Sequence, residues 1–188
     1  SGPKAVDVQT WGIAALGARQ IDAWFGTGAA LALWQRTKAW GGYGVGKTLW
    51  GVGFSDQDGN GSDAAGDFKS SVMSGEWTAG AILAVRNLRD TYGPRHPAAA
   101  RLAADEGAMM RGLAALRLDR YPAAGFPGTP ADYAKQLTLA TQPYLYASRR
   151  HHIPFGWYAN PLPSTATTAW VIMLANRFDP FGIGGVPN

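Results

Sequence analysis

Two carboxylates stand at the openings of stretches that otherwise carry almost no charge, and each has an indole close by. Asp7 opens the run Val6 to Leu16, with Trp11 four residues further on. Glu76 lies between Gly75 and Trp77, and the next charged residue after it is Arg86. A carboxylic acid among aromatic rings has a raised pKa, because burial disfavours the anion, and it can then deliver a proton near neutral pH. A carboxylate beside hydrogen-bonding groups such as Gln9 and Thr10 stays ionised more easily and can act on water or on a sugar carbon. Glu76 is therefore the candidate proton donor and Asp7 its candidate partner. A plainer reading stands beside this one: an acid in the first turn of a helix is favoured by the helix dipole alone.

A second dense patch runs from Ser148 to Ser164, with Arg149, Arg150, His151, His152, Phe155, Trp157, Tyr158 and Asn160 among three prolines. Adjacent histidines cannot face one ion from a regular element, so this is no metal template; one histidine reads more simply as a loop anchor. Trp157 and Tyr158 offer flat apolar faces on which a sugar ring can stack, as do Trp11 and Trp77, and Arg149 and His152 could contact the same ligand. Packing of the loop explains these aromatics equally well. The third pattern is Asp56 to Asp67, which follows the calcium-loop template D-x-[DN]-x-[DN]-G-x5-E with Asp67 in place of the final Glu. Asp56, Asp58, Asn60, Ser62 and Asp67 would supply hard oxygen ligands for Ca²⁺ around the turn at Gly61. An Asp/Asn/Gly loop is otherwise a solvated turn. Gly41 to Thr48 has the spacing of a phosphate-binding loop, with Gly41 as the opening glycine and Gly46-Lys47-Thr48 as the tail, but no strand is read before it as that motif requires, and no G-x-S-x-G elbow occurs.

The elements that must position these residues read as helices. The pattern predicts helices over 6–16, 26–40, 74–93, 96–117, 130–150 and 163–178, the fifth interrupted by Pro143. Ser74 with Glu76, and the Ser164/Thr165 cluster, are helix-start signals, and Gly93-Pro94 is a stop. No alternating β-branched run is strong enough to predict a sheet, so the expected class is all-α, one helical domain over residues 1–188. Three of the helices are apolar and share a Thr and a Trp near their start: Thr10-Trp11, Trp77-Thr78 and Thr167 to Trp170. Buried helices of this kind alternating with amphipathic ones suit two concentric helical rings.

Composition narrows the partners. The 188 residues are 46% hydrophobic and only 16% charged, which excludes disorder by composition. Net charge is +4 without a clustered basic run, which argues against nucleic acid. Cysteine is absent, removing disulfides, thiolate zinc sites and thiol nucleophiles. No apolar window is long enough for a membrane span.

Apolar helices with a leading carboxylate and Trp, aromatic-rich loops and the ending IPFGWYANPLPSTATTAW resemble the C-terminal half of an (α/α)-toroid carbohydrate-active enzyme, a group of glycoside hydrolases and polysaccharide lyases. A complete toroid needs about twice the helices counted here, so the resemblance implies a longer precursor or a second polypeptide that completes the fold. It further implies a secreted or periplasmic protein with a polysaccharide groove, lined here by Asp7, Glu76, Trp77 and Trp157. Three functions follow as expectations: a glycoside hydrolase using the two carboxylates; a lyase in which Tyr146 or His152 abstracts a proton and Arg149 and Arg150 neutralise a uronate; or a non-catalytic, calcium-stabilised carbohydrate-binding domain.

Overall fold

The helix from Gly75 to Tyr92 is the axis of the molecule, and its sequence shows why. Ser74 caps it by accepting from the Trp77 N–H at 3.2 Å, and the chain leaves it at Gly93 in a left-handed conformation. Between these ends Trp77 to Val85 are all buried, and Ala79, Gly80, Ala81 and Ala84 present so little bulk that neighbours approach its backbone on several sides. The computed structural model describes residues 2–126 and 142–182. Among these, α1 spans Val6–Leu16, α2 Ala18–Phe25, α3 Ala29–Gly41, α4 Gly75–Tyr92, α5 Ala99–Ala115 and α6 Thr165–Ala175. Helices α1, α5 and α6 pack directly on α4.

The all-α expectation is corrected: the described residues form mixed α and β structure, with six helices and two antiparallel hairpins. β1 (Gly42–Val45) pairs with β2 (Thr48–Val52) in the register Gly42–Val52 and Val45–Thr48, with an irregularity after Tyr43. β3 (His151–Ile153) pairs with β4 (Trp157–Ala159), His152 opposite Tyr158. Neither hairpin shows in the pattern because the strands are three to five residues long, and β1 and β2 together hold three glycines where β-branched residues would signal a strand. The glycines allow contact instead. Phe68 lies over Gly42 and Gly44, and α5 meets the β2 backbone at Gly112.

Other boundaries shift as well. The stretch 26–40 yields α3 alone, and the separate α2 before it supplies Asp22, whose carboxylate accepts from the Gly28 and Ala30 N–H groups at 2.9 Å and so caps α3. Of the helix expected over 130–150, residues 130–141 lie outside those described. From Tyr144 to Ala147 the chain is extended, bridging Arg117, Ser74 and Pro163, because Pro143 ends any helical ladder. One apolar core, from Val6 and Ile13 through Ile82 and Met109 to Leu174, joins all six helices and both hairpins. A buried polar tie crosses it: Trp34 Nε1 (2.9 Å) and Lys38 Nζ (2.8 Å) both donate to Asp105 on α5. No helix among the described residues is long and apolar enough to cross a membrane.

Candidate active site

Asp7 and Trp11 are four residues apart on α1, and Glu76 and Gly80 are four apart on α4, so each pair shares a helix face. The Trp11 indole lies so close over Gly80 that a β-carbon there would meet its Nε1 at 2.0 Å. One turn up, Asp7 faces Glu76 closely enough for its charge to act on that carboxyl. The two helices therefore bring their N-terminal ends together, and both acids come to one place. Trp11 stacks on Trp170 of α6 with ring centroids 5.8 Å apart, and Phe181 closes the other side of both rings.

Each acid has a distinct environment. Burial pushes the Glu76 carboxyl above its ordinary value; the Trp170 indole N–H opposes this by favouring the anion, and the Asp7 charge adds to the rise. Burial also raises Asp7, but the Val8 N–H donates to its carboxylate at 2.8 Å and favours the charged form. The Asp7 charge thus adds to burial in disfavouring the Glu76 anion, as expected for two neighbouring acids. Neither forms an ion pair among the described residues.

The wall beside the acids is aromatic. Trp77 is buried, 7% exposed, and packs edge-on to Phe54 at 4.9 Å; it supports the wall and offers no open face. Trp157, 38% exposed, stacks on Phe155 at 5.7 Å and directs its indole N–H at the Tyr146 hydroxyl. Burial raises the Tyr146 pKa, the Trp157 donor lowers it, and the charges of Glu76 and Asp7 raise it again, which places this phenol within the field of both acids. No family model, curated protein or solved structure matches this chain.

Strand alternation sends Trp157 and Tyr158 to opposite faces of the second hairpin. Tyr158 therefore sits away from the acids, beneath the Arg150 guanidinium (4.0 Å to the ring centre) and against the His152 ring (5.0 Å). Arg149 is also elsewhere, its charge bearing on Tyr43 and His151 and its Nε buried with no hydrogen-bond partner among the described residues. The structure thus gathers Asp7, Glu76, Trp11 and Trp157, sets Trp77 behind them, and separates Tyr158, His152 and Arg149. The sequence reading missed Trp170, Phe54 and Phe155 as wall and positioning residues. Trp170 alone carried a signal, the Thr-and-Trp start that α6 shares with α1 and α4.

The loop from Asp56 to Asp67 spends its oxygens on the backbone. Asp58 is 2% exposed and accepts from the N–H groups of Phe54 and Ser55 and from the Ser55 hydroxyl. The Asn60 oxygen accepts from Ser71 and Val72, and Asp56 binds the Lys4 N–H at 2.8 Å. Gly61 is needed for close approach, because a β-carbon there would lie 2.6 Å from the Ala39 carbonyl oxygen. Among the described residues no three acidic or histidine side chains converge on a metal position. Calcium at this loop, through Asp56, Asp58, Asn60, Ser62 and Asp67, stands as a proposal with a direct test. A binding loop gives a melting temperature that millimolar Ca²⁺ raises and EDTA lowers; a melting curve unmoved by either removes it.

Proposed function

We propose that the chain hydrolyses glycosidic bonds of an uncharged polysaccharide, with Glu76 as proton donor and Asp7 as the second carboxylate. The observation that carries this is the meeting of the two acids at the paired N-terminal ends of α1 and α4, where burial first and the Asp7 charge after it raise the Glu76 carboxyl above its ordinary value. Glu76 gives its proton to the leaving sugar oxygen as the bond to the anomeric carbon breaks. Asp7 stabilises the positive charge that develops and takes the proton of the incoming water or bonds to the carbon itself, according to the separation of the two groups. Water supplies OH to one product and restores the proton of Glu76. The partly exposed Trp157 face, fixed by Phe155 behind it, supports a stacked sugar ring. A neutral substrate fits because, among the described residues, the acids have no cationic partner that would hold a uronate.

Digestion of neutral polysaccharides, followed by reducing-end assay and ultraviolet absorbance, tests this reading. New reducing ends without an absorbing unsaturated end are expected. Unsaturated ends would overturn it in favour of elimination, in which Tyr146 would have to ionise against two nearby acids. The pH dependence should be bell-shaped. Activity falls on the acid side as Asp7 gains its proton and on the alkaline side as Glu76 loses its own, both limbs lying above the ordinary carboxylate values because both groups are raised.

A further inference from the structure

Glu76 stands in the first turn of α4; ten to fourteen residues further along the same helix, about 15–20 Å away at 1.5 Å per residue, the surface opens into a cavity of about 220 Å³. All five lining residues are charged: Arg86, Arg89, Asp90, Glu106 and Arg177. Glu106 is shared by two of the guanidinium groups, accepting from Arg86 Nε at 2.8 Å and from Arg89. Arg86 also donates to the Leu174 carbonyl at the end of α6, at 3.1 Å. Arg177 has no acidic partner among the described residues. Three guanidinium groups against two carboxylates leave one positive charge uncompensated.

Arg177 reaches this cavity at a conformational cost. Helix α6 ends in a Schellman turn, with Phe178 N–H bonded to the Met173 carbonyl (2.8 Å) and Arg177 N–H to the Leu174 carbonyl (3.3 Å). The position after the cap in such a turn is left-handed and usually glycine. Arg177 occupies it at φ 53°, the single non-glycine residue with positive φ among those described. A residue kept in a disfavoured backbone state points to a role for its side chain. The cavity's volume is about that of seven waters at roughly 30 Å³ each, so it has room for an anionic group together with part of the molecule that bears it.

We propose that this cavity is a binding site for a singly charged oxyanion group (a carboxylate, sulfate ester or phosphodiester), with Arg177 as its principal donor. The planar guanidinium fork matches two oxygens of any of these groups. Arg86 and Arg89, steered by Glu106, keep further N–H donors for the remaining oxygens.

The test titrates the whole chain with sodium acetate, methyl sulfate and dimethyl phosphate, each against sodium chloride at equal ionic strength, reading melting temperature and binding heat. At least one probe should bind the parent beyond the chloride control, and which one binds identifies the class. Arg177→Gly places the preferred residue in the Schellman turn, so the variant should fold at least as well as the parent while binding that probe at least tenfold more weakly. Arg177→Lys, which keeps the charge and loses the fork, should fall between them. No probe binding beyond chloride, or equal binding by Arg177→Gly, overturns the proposal.

Discussion

Glu76→Gln should lose about a hundredfold or more of glycosidic turnover while melting at or above the parent's temperature at neutral pH. The two effects have one cause. Burial raises the Glu76 pKa, so between the ordinary carboxylate value and that raised value the folded chain holds a proton that the unfolded chain has released. The stability this provides is fully present below the ordinary value and is lost as pH rises through the raised one. Above the ordinary value, neutral pH included, the folded chain must either keep this half-buried acid protonated against the solvent pH or carry it charged against its burial, and both oppose folding. Glutamine keeps the shape and the acceptor facing Trp170 but removes that opposition together with the transferable proton. Asp7→Asn should also reduce turnover, and in the residual activity the alkaline limb should shift to lower pH, because the charge that holds the proton on Glu76 is gone. A Glu76→Gln variant as active as the parent on its polysaccharide would end the assignment.

The largest effect on stability is expected at Gly112. A β-carbon there would lie 2.0 Å from the Trp50 carbonyl oxygen and 2.8 Å from its carbon, so Gly112→Ala must push α5 off β2. Overpacking typically costs 1–3 kcal/mol, and no rotamer change relieves a collision with backbone, so about 3 kcal/mol is expected. At roughly 2–4 °C per kcal/mol for a chain of this size, the melting temperature should fall by about 10 °C. Gly107 on the same helix is the control, because a β-carbon there meets only the mobile end of Arg111, at 3.6 Å. Gly107→Ala should be neutral or stabilising by up to about 1 kcal/mol through helix propensity. Equal melting of the two variants would show that α5 and β2 are free to separate.

How much of this was legible in the sequence depended on the range over which each signal acts. Ser74 and Ser164 announced α4 and α6 because a cap is settled within one turn, and both accept the N–H three residues on. Glu76 and Asp7 stood out because each was almost alone in an apolar run, although their meeting required α1 and α4 to lie side by side. The hairpins were hidden: Gly42, Gly44 and Gly51 carry no strand propensity and work by letting Phe68, Met73 and the backbone approach, a property of the neighbours. Asp58 and Asn60 show a different limit. Their spacing suits a cation, yet in the fold the same oxygens hold together the backbone at Phe54, Ser55, Ser71 and Val72. Local spacing does not distinguish an oxygen meant for an ion from one meant for an N–H group.

The β3–β4 hairpin holds Trp157 toward the acids and Tyr158 toward Arg150 only by parity along the strand. Deleting one residue from the turn at Pro154 to Gly156 and re-pairing the strand one step along would exchange the two rings. Tyr158 would then be brought up against Tyr146 and the acids, and Trp157 would be turned out beneath the guanidinium. A single-codon deletion could thus replace the ring beside the acids without altering Asp7 or Glu76, so under the proposed hydrolysis length variation in this turn offers divergent copies of the chain a short route to a different sugar preference.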